Sequence, residues 1–261
     1  MNIWVANSGN GTVSKINPAN GNITATVPVG TGPIAVGFDG TSIWVVNEGT
    51  DDVTKINPTS AVVIITVPVQ DGPRGFAFDG TNVWISNGVS GTLSKIDATT
   101  NAVTGLAATV GAGPDGMAFA AGFLWVVNTD DDTVSKVNVG SGLVVGSPIG
   151  VNGDPIGIAF DGSTLWVTSS TTRNMTRLNP ISNAVSAYDL GVGNFTRHVT
   201  YDGTYIWASR EGANDVFRLD PAGGSPVAAI AVGTTPDGVA FDGMNVWVVN
   251  SGSNNVSKVR P

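Results

Sequence analysis

The sequence predicts an all-β protein of short strands, and three observations carry that prediction. Only 12% of the 261 residues are charged, against 41% hydrophobic residues and 35 glycines, the balance of a chain with many tight turns and ample core. All seven tryptophans, Trp4, Trp44, Trp84, Trp125, Trp166, Trp207 and Trp247, recur at intervals of 40 or 41 residues, which marks an internal repeat. Each interval resolves into four segments rich in Val, Ile, Thr or aromatics and bounded by Gly, Pro, Asn or Asp, with no helical run of ten or more residues.

In the second repeat the four segments are strand A in IAVGFDG, strand B in SIWVVN, strand C in DVTKINP and strand D in VVIITVPV. Four strands per forty residues describe one blade of a β-propeller, expected as a single domain over residues 1–261. Strand A ends in Asp-Gly at Asp39, Asp79, Asp161, Asp202 and Asp242, where glycine accepts the positive φ of a tight A–B turn; the fourth repeat has FAAG, Phe119 to Gly122, instead. The tryptophan of strand B offers a large apolar face suited to wedging between neighbouring blades. Strand C repeats a cation at Lys15, Lys55, Lys95, Lys136, Arg177, Arg218 and Lys258, expected as a solvated or locally paired residue of the outer face.

The chain opens with strands B, C and D, contains five complete sets and closes with A, B and C, giving 26 strands, two short of seven full blades. Seven blades with three-stranded ends is the preferred count. A six-bladed ring closed by exchange of the end strands is the alternative. Either leaves unpaired edges, which invite self-association by strand pairing. The opening MNIWVANSG lies inside the repeat, with no leader of the signal-peptide kind.

Several function classes are disfavoured. A net charge of -8 argues against nucleic acid and anionic lipid as partners, and no apolar run of about 18 residues predicts a membrane span. Without Cys there is no disulfide, thiol nucleophile or thiolate metal site. The chain has neither a nucleophile elbow nor a phosphate-binding glycine loop nor a histidine cluster. The acidic loop NTDDDTV, Asn128 to Val134, reads either as a Ca²⁺ loop or as a solvated turn. No cofactor is expected, with Mg²⁺ or Ca²⁺ as the ions to consider.

Residues that leave the repeat point to the candidate site. Five cations stand off the strand-C pattern: Arg74, Arg173, Arg197, Arg210 and Arg260. Because A and B are antiparallel, the start of A and the end of B share one rim, opposite the Asp-Gly turns. Two positions vary there. One follows the residue that opens strand A: Ile34, Arg74, Asp115, Ile156, Arg197 and Asp237. The other lies three residues after each Trp: Asn7, Asn47, Asn87, Asn128, Ser169, Arg210 and Asn250. The sixth repeat departs furthest, with Arg197 and the only histidine, His198, starting strand A and Arg210 and Glu211 ending strand B. Strand parity places Arg197 and Arg210 on one face, which calls for a small anionic ligand between them or for Glu211 or Asp237 as partner. The funnel candidates are therefore Arg74, Asp115, Arg197, His198, Arg210, Glu211 and Asp237.

The unit GPxGxAFDGxxxWVxNxGxxxVxKINPxxxxVxxTVPVG, which spans essentially the whole chain, resembles the YVTN-type repeat of bacterial surface β-propellers. It is also similar to the blades of streptogramin B lyases. The resemblance implies strand A innermost, strand D outermost and a central funnel. The surface proteins imply an extracellular or cell-surface setting and a non-catalytic binding or self-assembling role. The lyase family implies instead a metal-assisted funnel enzyme, with His directly after the Pro of strand A, Glu three residues after the strand-B Trp, and magnesium. Here the first position never holds His and the second is mostly Asn, while His198 sits one residue late, so its side chain is expected on the other face of the strand.

Overall fold

Blades 2 to 7 each start from one local device, the A–B turn. In blade 2 the Asp39 carboxylate uses Oδ1 to accept the backbone N–H groups of Thr41 (2.7 Å) and Ser42 (2.6 Å), and Gly40 takes φ 92°. Its Oδ2 accepts the indole Nε1–H of Trp44 at 2.7 Å, and the same bond recurs from Trp84 to Asp79, Trp166 to Asp161, Trp207 to Asp202 and Trp247 to Asp242. The aspartate therefore shapes the turn and satisfies the one polar atom of the buried indole. In blade 4 the turn shortens to Ala121 and Gly122, both at positive φ, and Trp125 donates to the Ala120 carbonyl at 3.2 Å.

The structure, a computed structural model, describes residues 2–172, 174–190, 195–222 and 226–261. Seven antiparallel sheets arranged as blades make a seven-bladed β-propeller with almost no helix. Blades 2, 3, 5 and 6 have four strands in the order A-B-C-D, blade 1 holds B, C and D, and blade 7 holds A, B and C. Blades 1 and 7 remain separate sheets, so the six-bladed alternative is not what forms. In blade 4 strand D is split into Leu143–Val144 and Ile149–Gly150, one strand more than the sequence predicts. Gly146 at φ 76° and Pro148, which has no N–H, interrupt that ladder.

Apolar clusters fill the clefts between successive blades. Trp84, for example, packs with Leu93, Leu124, Val126 and Val137 across the third cleft, and Trp44, Trp84, Trp125, Trp166 and Trp207 are fully buried. The strand-C cations are locally paired, and all but the exposed Lys258 are buried or half-buried against the next blade rather than solvated on the outer face. Lys55 is 6% exposed; its Nζ sits 4.9 Å from the centroid of the Trp44 ring and donates to Ala98 O (2.6 Å) and Asn101 Oδ1 (2.8 Å) of the next blade. The indole lies in reach of the stem and the head group, and the carbonyls of the neighbouring C–D turn replace water. Lys258 repeats the contact onto Pro18 O at 2.7 Å and so joins blade 7 to blade 1.

Hydroxyls two residues after the Trp fasten the innermost strands to one another. Ser86 Oγ accepts Gly75 N–H (2.7 Å) and donates to Asp115 O of the next blade (2.7 Å); Thr168 and Ser209 do the same toward Arg197 O (2.6 Å) and Asp237 O (2.5 Å). The backbone of the funnel wall is thus fastened between blades 3 and 4, 5 and 6, and 6 and 7. No helix among the described residues is long and apolar enough to cross a membrane.

Candidate functional site

Strand A carries an irregularity that decides which side chains reach the axis. In blade 6, strand A (Thr196–Tyr201) pairs with strand B (Ile206–Arg210) so that Thr196 lies opposite Arg210 but Val199 lies opposite Ala208. Strand A advances three residues while B advances two, a β-bulge at Arg197 and His198. The one-residue excess recurs in strand A of blades 2, 3, 4, 5 and 7. A bulge resets parity, so simple alternation fails: Arg197 and His198 both line the funnel.

That correction separates the candidates. Ile34, Arg74, Asp115, Ile156, Arg197 and Asp237, one from each of six blades, surround a cavity of about 280 Å³, with His198 added in the sixth. Arg210 is not among them. It turns into its own blade and forks onto Asp215 at 2.8 and 2.6 Å, stacked 4.9 Å from the Phe217 ring, with 11% of its side chain exposed. The expected Arg197–Arg210 pair around an anion is therefore absent, and the bulge is the reason. The whole Asn47 series is likewise interior: Asn47 donates to Asp52 Oδ1 (2.6 Å) and Thr54 Oγ1 (2.9 Å) of strand C and is fully buried. Ser169, its equivalent in blade 5, donates to Gly153 O. Position three after the Trp ties B to strand C or, at Ser169, to the loop before strand A, and it does not line the cavity.

Charge at the mouth is arranged in pairs. Arg197 Nε lies 2.6 Å from Glu211 Oε2, on the short 3₁₀ turn Glu211–Ala213, and this contact lifts the guanidinium pKa above its ordinary value. Arg74 Nε lies 3.1 Å from Glu48 Oε1 of the preceding blade. His198 Nδ1 stands 3.0 Å from Asp237 Oδ1, both side chains open to the channel. Burial lowers the imidazole pKa, but Asp237, aided by Asp115, outweighs it and the net shift is upward; contact with His198 holds Asp237 below the usual carboxylate range. Asp115 differs. Burial raises its pKa against the opposing fields of His198 and Arg74, and no hydrogen bond or ion pair closes on its carboxylate among the described residues.

Two features escaped the sequence reading. Glu211, expected as a partner of the arginines, does meet Arg197, but Glu48, which follows Asn47 just as Glu211 follows Arg210, was missed, and aligning the repeats at that column would have exposed it. The column holding Ala35, Gly75, Gly116, Gly157, His198 and Gly238 is glycine except twice; a Cβ at Gly75 would sit 2.2 Å from Asp115 O, so glycine marks the bulge. Arg173 lies outside the described residues, and Arg260 is exposed at the end of the last blade. In the acidic loop, Asp131 and Asp132 accept the backbone N–H groups of Ala112 (2.7 Å) and Asp154 (2.6 Å), tying the B–C turn to the neighbouring D–A loops. Among the described residues no group of three His, Asp or Glu is placed to hold a metal ion.

Comparison with known proteins gives a class of fold. No protein-family model matches the chain, and no curated protein matches it. Solved structures do. Hydrazine synthase of Kuenenia stuttgartiensis is 19% identical with a TM-score of 0.86, over 100% of this chain and 92% of that one. Virginiamycin B lyase from Staphylococcus aureus is 15% identical with a TM-score of 0.86, over 100% and 91%, and a streptogramin B lyase is 18% identical with a TM-score of 0.85, over 98% and 89%. At these identities the shared feature is the propeller itself.

Proposed function

We propose that the chain is a non-catalytic binding propeller that takes a small ligand at the mouth of its funnel. One observation carries this reading: the side chains common to the repeats are engaged in holding blades together, while side chains that differ from blade to blade converge on the 280 Å³ cavity. Variation concentrated on a rigid wall is how a common scaffold acquires a specific site. The charge-poor, Thr- and Asn-rich composition suits an extracellular setting. Self-association through the open edges of blades 1 and 7 belongs to the same reading, and a strict monomer by light scattering at high concentration removes that part.

The test is ligand-observed NMR with a set of small cationic, anionic and neutral aromatic compounds, repeated with Ile156→Trp, whose larger side chain fills the cavity. Binding that disappears in the variant is expected. No binding by any compound, or binding that survives the block, overturns the reading.

A second reading has one observation behind it. The likeness to virginiamycin B lyase, one structure of which holds a catalytically inactive variant with quinupristin, joins a funnel that contains a His198–Asp237 pair. A metal-assisted lyase would change the chromatographic retention of quinupristin on incubation with this protein and Mg²⁺. The binding reading expects no change.

A further inference from the structure

Resting on the funnel as a binding site, we infer that its ligand is a small organic cation, an ammonium carried on an apolar body, with Asp115 as its counter-charge. The sequence suggested an anion because arginines gather at the rim. The structure removes that motive. Arg74 already faces Glu48, Arg197 faces Glu211, and Arg210 is withdrawn onto Asp215. An anion would have to share a guanidinium with the carboxylate already in contact with its Nε, in a mouth that also holds Asp115 and Asp237.

Counting the charged side chains at the mouth gives the same answer. Two guanidiniums, Arg74 and Arg197, stand against four carboxylates, Glu48, Asp115, Glu211 and Asp237, with His198 as the only titrating base. With all four carboxylates ionised the mouth is negative with either protonation state of the imidazole. Of the four carboxylates, three have a cation at 2.6 to 3.1 Å and only Asp115 has none among the described residues. An acceptor whose burial opposes its ionised form gains most from an incoming cation, which restores what water would have supplied.

The wall beside Asp115 fits the remainder of such a ligand. Met117 lines the cavity from Asp115's own strand, Phe76 and Ile156 line it from the two flanking blades, and Ile34 lines it from blade 2. Aromatic and thioether groups accept a cation's alkyl or aryl body without needing hydrogen bonds. The cavity lies just below the range of about 300–1,000 Å³ typical of small-molecule sites, which favours a compact ligand.

The probes are 2-phenylethylammonium, 2-phenylethanol and phenylacetate, of nearly one shape and three charges, titrated at pH 7 by ligand-observed NMR. The ammonium should bind at least tenfold more tightly than the other two, and Asp115→Asn should erase that preference while leaving Tm unchanged. Lowering pH should weaken ammonium binding as Asp115 takes up a proton; the other ionisable groups facing it are Glu48, Glu211, Asp237, His198, Arg74 and Arg197. Preference for phenylacetate or phenylethanol overturns the inference but leaves a funnel binding site standing; binding of none of the three overturns both. The order among probes in the unmodified protein decides the matter even if Asp115→Asn fails to fold.

Discussion

The clefts between blades and the funnel they enclose are built from the same forty-residue unit by opposite rules. In the clefts one arrangement is repeated almost without change: an indole, an aspartate that takes its N–H, and a cation whose head group reaches the next blade. At the funnel mouth the corresponding residue changes from each blade to the next, running through Ile34, Arg74, Asp115, Ile156, Arg197 and Asp237. The difference shows where each region's constraint comes from. A cleft must match its neighbour on both sides, so a change in one blade costs packing in two, whereas a mouth residue faces an open cavity and can vary without cost to the ring.

The sharpest way to break this contrast is to cut the cleft. Trp84→Ala, at a site with no exposed surface, should destabilise the protein by about 3–5 kcal/mol, the usual cost of emptying a buried aromatic site. Trp4→Ala, whose site in the first blade is only partly buried, should cost clearly less. Chemical denaturation measures both. Equal losses would mean that the end blades are held as firmly as the inner ones, contrary to the burial pattern.

Next in size is the acceptor of the indole N–H. Asp161→Ala leaves the Trp166 donor buried without its partner and should cost about 1–3 kcal/mol. Blade 4 sets the lower bound, because there the Ala120 carbonyl replaces the carboxylate. The same aspartates set an acid limit. At Asp39, Asp79, Asp161 and Asp242 burial raises the pKa, but the bonds from indole and backbone N–H groups outweigh it and the net shift is downward. A folded-state pKa below the unfolded one contributes stability that is present above the unfolded value and lost as pH falls through the folded one. Denaturation midpoints should therefore fall steeply below about pH 4. Asp161→Asn should flatten that slope.

Smaller again is the bridging cation. Lys55→Met keeps the apolar stem over Trp44 but removes the donor to Ala98 O and Asn101 Oδ1, for an expected loss of about 1 kcal/mol in the denaturation midpoint. No loss would restore the outer-face role that the sequence suggested for this column.

Those comparisons also show what the sequence could reveal. The seven blades and the A–B turn were legible, because a period of 40 or 41 residues and an Asp-Gly pair are local signals. The cation bridge was not: its acceptor lies 43 or 44 residues ahead, a distance at which no pairwise pattern stands out. The mouth positions after the opening residue of strand A were legible as variable columns. Arg210 was misplaced because alternation was assumed through a bulge, and the bulge signal was the glycine at Gly75, Gly116, Gly157 and Gly238. Where a strand keeps strict alternation a sequence predicts facing; one extra residue reverses it.

The smallest effect tests the funnel side of the contrast. His198 is the only histidine, so its ring proton resonance can be followed alone through a pH titration. The pairing with Asp237 at 3.0 Å predicts a midpoint above the ordinary imidazole value, and Asp237→Asn should bring it down. Because the folded pKa is raised, any stability from the pair is fully present below the unfolded imidazole value and fades as pH rises through the folded one; Asp237, depressed, limits it from the acid side. With 42% and 48% of the two side chains exposed, solvent screening keeps that contribution to about 0.5 kcal/mol or less. Denaturation midpoints of His198→Gln and of the unmodified protein should then nearly coincide between pH 5 and 8, while the resonance moves measurably. A large stability change would place His198 among the residues that hold the ring and would erase the division between cleft and mouth in blade 6.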